Sequence, residues 1–175
     1  MIHDFKECLA KSHAAEDLPI WEEVYRRAFP DFLSMDSFRE YGEWQKAGID
    51  RGITLKNSKV IHVDEKVRSK PYEDIALEYW SVEEKQIPGW VCKPLRADYI
   101  AYLVAPLGVC HFLPVIQLQN AWVKNGDMWK KQYGSIRAKN KNYNTVCCCV
   151  PWQEVYKKVG RELRVTFERF DIESA

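Results

Sequence analysis

The sequence predicts an α/β fold in which a central mixed β-sheet is flanked by helices. The composition indicates a packed core, because 46% of the 175 residues are hydrophobic and 13% are aromatic. Segments with the period-two alternation of strands are interspersed with segments whose apolar residues recur at helical spacing. The length suits one domain, so we predict a single domain over residues 1–175, of which residues 1–16 form a loosely packed helix.

The first part of the chain carries two helix patterns. Asp17 can cap a helix that has Pro19 in its first turn and ends before Pro30. A second helix is predicted from residue 34 or 36 to about residue 46, and Gly48 ends it.

Strand patterns follow these helices. Residues 48–68 read GIDRGITLKNSKVIHVDEKVR, which predicts two strands joined by a turn at Asn57 and Ser58. The run IALEYW at residues 75–80 predicts a third strand of the same meander, and residues 98–104 and 109–113 predict a further strand pair. The rest of the chain predicts helices over 114–125 and 127–133, a buried strand over 144–150, a helix over 151–159 and an edge strand over 163–170.

Polar side chains of the second strand share one face. Alternate residues of an extended chain point the same way, so His62, Asp64, Lys66 and Arg68 lie on one side. A hairpin would bring Asp50 close to them and so gather two carboxylates and an ammonium group. These groups are the minimum needed to hold a divalent cation against a phosphate.

Asp50 followed by Asp64, Glu65 and Lys66 resembles the PD-(D/E)XK signature of nucleases with the restriction-endonuclease-like fold. That family carries an aspartate on one strand and an acid-any-lysine triplet on the next. The resemblance is confined to residues 48–68, and Ile49 stands where the signature has its proline. Glu65 occupies a position that is usually apolar and that supplies its backbone carbonyl to the metal ion.

The resemblance implies a Mg²⁺-dependent nuclease that hydrolyses DNA phosphodiester bonds, with Mn²⁺ as a substitute ion. Asp50 and Asp64 would bind the metal ion together with the backbone carbonyl of Glu65. Lys66 would orient the attacking water and offset developing negative charge.

Further side chains are candidates around this site. In the resembled family a glutamate from the helix before the motif sometimes joins the metal ligands, which makes Glu40 and Glu43 candidates. The alternative for these two is a solvent-facing position. Glu78 on the third predicted strand is another candidate, with the alternative that it lies at a sheet face and pairs with a lysine or arginine. His62 and Arg68 are candidate accessory groups, with the alternative that His62 is only a hydrogen-bonded neighbour.

Some nucleases of this superfamily carry a glutamine on the helix after the core strands, which makes Gln117 and Gln119 candidates. The exonuclease pattern Q-x-x-x-Y is missing, because Ala121 lies four residues after Gln117. We therefore expect an endonuclease. The alternative for both glutamines is a polar helix face.

A basic segment covers residues 124–141, although the whole chain has a formal net charge of only +1. A local basic patch attracts a polyanion even when the molecule is near neutral. We expect this segment to bind DNA, together with the aromatic residues Trp129, Tyr133 and Tyr143. The segment has one acidic residue, Asp127. Its six basic residues are Lys124, Lys130, Lys131, Arg137, Lys139 and Lys141.

A competing hypothesis keeps the fold but not the catalysis. The protein would then be a module that binds nucleic acid or a partner protein, such as a phage or defence accessory factor. Glu65 and the near-neutral charge favour this alternative. Cutting both strands of a duplex commonly requires two active sites, which is compatible with a homodimer.

The chain shows no pattern of a signal peptide and no apolar run long enough to cross a bilayer, so we expect a cytoplasmic protein without a membrane partner. Three of the six cysteines are consecutive, Cys147–Cys149, and neighbours on a strand face opposite ways. We therefore expect reduced thiols. A zinc site that also draws on Cys92, Cys110 and His111 is the weaker alternative, because these residues lie in apolar strand patterns.

Overall fold

The structure is a computed structural model, and it describes residues 18–38, 40–160 and 163–172. The helix predicted over residues 1–16 lies outside this part of the chain. The described residues have a mixed α/β fold, which confirms the predicted class.

Four α-helices and ten strands make up the described chain, with two single 3₁₀ turns at Glu83–Lys85 and Ala105–Leu107. The helices are α1 (Ile20–Ala28), α2 (Gly42–Lys46), α3 (Val115–Tyr133) and α4 (Trp152–Val159). The strands are β1 (Phe32–Ser37), β2 (Arg51–Leu55), β3 (Val60–Arg68), β4 (Asp74–Val82), β5 (Ile87–Pro88), β6 (Tyr99–Val104), β7 (Val109–Pro114), β8 (Ile136–Lys139), β9 (Asn144–Pro151) and β10 (Leu163–Thr166).

The described residues divide into two compact units, each with its own sheet. The six-stranded unit holds residues 18–72, 95–115 and 163–172, apart from residue 39, and the four-stranded unit holds residues 73–94 and 116–160. The predicted single domain stays a prediction.

The sheet of the six-stranded unit has the order β1-β2-β3-β6-β7-β10. The β3 and β6 strands are parallel, and all other neighbours are antiparallel. The sheet is therefore mixed, as predicted. The candidate catalytic residues lie on β3 and just before β2, which are neighbours in the middle of this sheet.

Helix α1 packs its apolar stripe against one face of this sheet. Trp21, Val24 and Tyr25 recur at helical spacing and are fully buried. The Tyr25 ring stacks on Trp21 at 5.6 Å between centroids and meets Phe112 of β7 edge-on at 6.0 Å. Full burial of a large apolar side chain contributes about 1.5–3 kcal/mol, so this stripe fixes the helix on the sheet. The helix ends at Phe29, whose N–H bonds the carbonyl of Tyr25.

The sheet of the four-stranded unit has the order β5-β4-β9-β8 and is antiparallel. Val146, Cys148 and Val150 of β9 are buried, and the residues between them are partly exposed. Cys147, Cys148 and Cys149 are free thiols, as are Cys92 and Cys110. The expectation of unpaired cysteines is confirmed for these five positions.

Two predicted elements differ from the structure near the site. Residues 34–37 belong to strand β1 and not to a helix, because Phe32–Ser37 pairs with β2 at the edge of the sheet. The sequence of this strand, FLSMDS, lacks the apolar and polar alternation that predicts a strand, and only Phe32 is buried. Strand β4 does not continue the β2–β3 meander, because β6 pairs with β3 while β4 pairs with β9 in the other sheet.

Two further differences lie in the C-terminal half. The two helices predicted over 114–133 are one continuous helix, α3, in which Gly126 packs beside Trp122. Strand β8 was not predicted, because its residues are all exposed and carry no alternation. The predicted elements over 144–150, 151–159 and the edge strand near 163 are confirmed as β9, α4 and β10.

Candidate active site

A tight hairpin sets the register of β2 against β3. The turn places Ser58 at φ 65°, and the N–H of Lys59 bonds Oδ1 of Asn57 at 3.1 Å. The N–H of Leu55 bonds the carbonyl of Lys59 at 2.8 Å, which closes the hairpin. Arg51 then pairs with Val63, as a regular antiparallel ladder requires.

This register brings Asp50 beside the residues 64–66. The N–H of Asp50 bonds the carbonyl of Val63 at 2.9 Å. Its carboxylate accepts a hydrogen bond from the N–H of Glu65 at 2.8 Å. The Asp50 carboxylate also acts on Asp64 through charge and a side-chain hydrogen bond. The predicted proximity of the two aspartates is therefore present in the structure.

Asp64 is buried more deeply than Asp50 or Lys66, with a side chain that is 5% exposed. Lys66 donates a hydrogen bond to its carboxylate and lies 3.4 Å from the carbonyl oxygen of Glu65. Burial raises the pKa of Asp64 to about 7, and the charge of Lys66 opposes this while that of Asp50 adds to it. The partly exposed ammonium group of Lys66 thus pairs with Asp64, and Asp50 acts on the same carboxylate.

Glu65 faces the opposite side of β3, where its side chain is fully buried. Arg51 donates to it from Nε at 3.0 Å and from Nη2 at 3.2 Å, and the Tyr25 hydroxyl donates at 2.5 Å. Burial raises the pKa of Glu65, and the Arg51 guanidinium opposes that rise. The Glu65 side chain is therefore bound within the core, and its carbonyl oxygen lies on the side of Lys66.

Arg51 and Tyr25 are residues that the sequence reasoning missed. A charge on the buried face of a strand requires a compensating charge nearby. Arg51 follows Asp50 directly and so faces the other way, toward the same side as Glu65. The alternation of side chains along β2 and β3 is therefore the sequence feature that indicates the Arg51–Glu65 ion pair.

His62 lies on the same face of β3 as Asp64 and Lys66. Its N–H bonds Oδ2 of Asp98 at 2.8 Å, and its ring lies 5.5 Å from Trp44 and 6.3 Å from Phe38 between centroids. Phe38 in turn lies over Gly52, where a Cβ atom would meet its ring at 2.5 Å. The candidate accessory position of His62 is thus next to aromatic side chains.

The structure leaves the roles of the other candidates open. Glu40 and Glu43 are exposed, and Glu43 lines a cavity of about 160 Å³ beside helix α2. Glu78 is half-buried on β4 of the four-stranded unit. The Arg68 guanidinium lies over the ring of Tyr72 at 4.8 Å.

The two candidate glutamines lie on helix α3. Gln119 donates a side-chain hydrogen bond to the carbonyl of Lys93 at 2.8 Å, so its amide supports the loop before residue 94. Gln117 is exposed. The polar-face alternative describes Gln117, whereas Gln119 has a local structural contact.

The basic segment spans the second half of α3, strand β8 and the turn after it. Lys124, Lys131, Lys139 and Lys141 are exposed there. Two other bases are paired with acids. Lys130 contacts Asp127 at 2.7 Å, and Arg137 binds Glu83 at 2.8 Å.

The expectation that Trp129 contributes to nucleic-acid binding is wrong, because this side chain is fully buried. It packs 6.3 Å from Trp122 between ring centroids. Trp129 is on the inner face of an amphipathic helix, where an aromatic residue most often serves the core. Tyr133 and Tyr143 are partly exposed.

Comparisons with models of protein families, with curated proteins and with solved structures found no match to this chain. Within residues 18–38, 40–160 and 163–172, no helix has the length and apolar character needed to cross a membrane. The same residues contain no group of three or more His, Cys, Asp or Glu side chains that could hold a metal ion.

The groups at Asp50 and Asp64 nevertheless fit a Mg²⁺ ion. They supply two adjacent carboxylates, and Glu65 supplies a carbonyl oxygen on the same side. Mg²⁺ prefers oxygen ligands and keeps several waters, so it is bound by one or two carboxylates in many sites.

Proposed function

We propose that this protein is a Mg²⁺-dependent nuclease that hydrolyses DNA phosphodiester bonds, and that it acts as an endonuclease. One observation carries the proposal: Asp64 and Lys66 of β3 pair with each other, and Asp50, just before β2, lies next to the buried Asp64. Crowded carboxylates are electrostatically costly in a structure without a cation, and a divalent ion would relieve that cost. Perturbed carboxyl pKa values of this kind cluster at functional sites.

The residues would have distinct roles. Asp50, Asp64 and the carbonyl of Glu65 would hold Mg²⁺, which supplies charge neutralisation at the phosphate and a water of lowered pKa. Lys66 already holds the Asp64 carboxylate, and its side chain is 30% exposed. Its ammonium group can therefore reach a substrate phosphate and offset the charge that develops on it.

The exposed lysines of the basic segment support a polyanionic substrate. Lys139 is exposed at the end of β8 and Lys141 in the turn after it, and Lys124 and Lys131 are exposed on α3. Phosphate contacts from such side chains are independent of base sequence. We propose that this segment binds the DNA backbone.

The direct test is cleavage of plasmid and single-stranded DNA with Mg²⁺ or Mn²⁺. We expect cutting by the wild-type protein and its loss in Asp64→Ala and Lys66→Ala. Asp36→Ala is the matched control, because this aspartate is exposed on β1 and should leave cutting unchanged. Circular dichroism of each variant checks that the fold is intact.

Equal cutting by wild type and Asp64→Ala would refute the proposal, because the activity would then come from another site or a contaminant. Mn²⁺ titration gives a second readout. Wild type should bind the ion more tightly than the Asp50→Asn and Asp64→Asn variants. Absence of both cutting and Mn²⁺ binding would favour the non-catalytic module.

A further inference from the structure

Three aromatic side chains form an exposed cluster in the six-stranded unit, and we call it the aromatic surface. Phe38 and Trp44 are stacked, with 4.7 Å between centroids and 17° between planes, and Tyr41 meets Phe38 at 6.2 Å. Tyr41 is 60% exposed and Trp44 is 39% exposed. Large aromatic side chains usually bury most of their area, so an exposed cluster indicates a binding surface.

The aromatic surface borders the candidate active site. The His62 ring lies 5.5 Å from Trp44 between centroids. His62 is two residues before Asp64 on the same face of β3, which corresponds to about 7 Å along a strand. A group bound on Trp44 would therefore be within a short distance of a phosphate held at Asp64.

The chemistry around Trp44 favours a flat, uncharged ligand. Its side chain lines the cavity of about 160 Å³ together with Glu43, Ala47 and Arg96. One carboxylate and one guanidinium give this cavity no excess positive charge, so it does not select a phosphate. An indole face with an arginine nearby is suited to stacking on a nucleobase, since every base has a π-face.

We propose that the aromatic surface stacks an unpaired base next to the scissile phosphate, so that the substrate class is DNA with a single-stranded segment. Bases inside a duplex are already stacked on their neighbours and cannot offer a face to Trp44, whereas an unpaired base can. The inference rests on the proposed nuclease function, because a phosphate of the same strand as that base would lie at Asp50 and Asp64.

The test measures DNA binding separately from cutting. Fluorescence anisotropy compares a labelled single-stranded oligothymidylate with a blunt duplex of equal length, without Mg²⁺ so that both stay intact. Trp44→Leu keeps an apolar side chain but removes the ring, and Trp44→Phe keeps a ring. Leu33→Ala is the control, because Leu33 is exposed in the same unit and has no ring.

We expect Trp44→Leu to weaken single-stranded binding about tenfold, the size of effect seen when a stacking ring is removed. Trp44→Phe should retain most of the affinity, and duplex binding should be unchanged in every variant. Tyr41→Leu, at the more exposed position, provides the same comparison if Trp44→Leu fails to fold.

Single-stranded binding by Trp44→Leu and Tyr41→Leu at wild-type strength would overturn the inference, as would an equal loss of duplex binding. This failure differs from failure of the nuclease proposal. Loss of cutting in Asp64→Ala alongside ring-independent binding would retain the nuclease and reject the base-stacking surface. Ring-dependent binding with cutting that does not depend on Asp64 would reject the nuclease and retain the surface.

Discussion

Replacing Asp64 by Asn should remove the proposed activity and yet stabilise the folded protein at neutral and basic pH. Asp64 is buried, and its ionised form is disfavoured by burial and by Asp50, although Lys66 offsets part of this cost. Asn has similar size and cannot ionise. The substitution therefore separates the structural cost of the carboxylate from its proposed role in binding Mg²⁺.

The sign and size of the effect follow from proton linkage. The pKa of Asp64 is about 7 in the folded protein, and that of an unfolded aspartate is about 3.9. Between these values the folded state holds a proton that the unfolded state has lost, so stability falls as pH rises. Integrating this difference from about pH 5 to about pH 8 gives a loss of about 2.5 kcal/mol from this one group.

Urea denaturation at several pH values would measure the effect. The unfolding free energy of wild type should fall by about 2.5 kcal/mol more than that of Asp64→Asn between about pH 5 and pH 8. Asp36→Asn, at an exposed position, should follow wild type. Saturating Mg²⁺ should restore stability to wild type at pH 8 but not to Asp64→Asn, because a bound cation favours the ionised carboxylate.

Parallel pH profiles for wild type and Asp64→Asn would refute this reasoning. They would mean that Asp64 does not titrate in this range, and so that it is not buried against a second carboxylate. A Mg²⁺ effect of equal size in both proteins would place metal binding elsewhere in the chain.

Three other substitutions test separate parts of the structure. Arg51→Met should destabilise the fold by about 3–5 kcal/mol in urea denaturation, because it leaves Glu65 buried without its partner. Gly108→Ala should cost more stability than Gly134→Ala: both have positive φ, but only at Gly108 would the new Cβ meet a backbone oxygen, at 2.4 Å. If the basic segment binds DNA, Lys139→Gln should lower the salt slope of binding by about one, and an unchanged slope would exclude this contact.

The core of the candidate site could be predicted from the sequence because it depends on local rules. The turn at Asn57 and Ser58 is short, so the register of β2 against β3 follows from turn chemistry and alternation. These two rules place Asp50 near Asp64. They also place Lys66 on the same face as Asp64, since the two residues are two apart on one strand.

Other parts of the molecule depend on contacts distant in sequence and could not be predicted in this way. The Tyr25 hydroxyl binds Glu65 across a separation of 40 residues, which depends on how α1 packs on the sheet. Strand β6 pairs with β3 in parallel, and this pairing rather than the pattern of residues 75–80 decides that β4 lies in another sheet. Packing against the rest of the protein decides which face of α3 is buried, and this face includes Trp129, which the sequence analysis places at the DNA.

The two faces of the β2–β3 pair explain why a charged residue occupies the centre of the acid-any-lysine triplet. Asp50 and Arg51 alternate in face as Asp64 and Glu65 do on β3, so one register gives a carboxylate pair on one face of the sheet and an ion pair on the other. A slip of one residue would turn Asp64 toward the apolar core beneath α1 and Glu65 toward the opposite face. Because Arg51 can satisfy Glu65 only in the observed register, the buried ion pair opposes that slip and so holds Asp50 and Asp64 together.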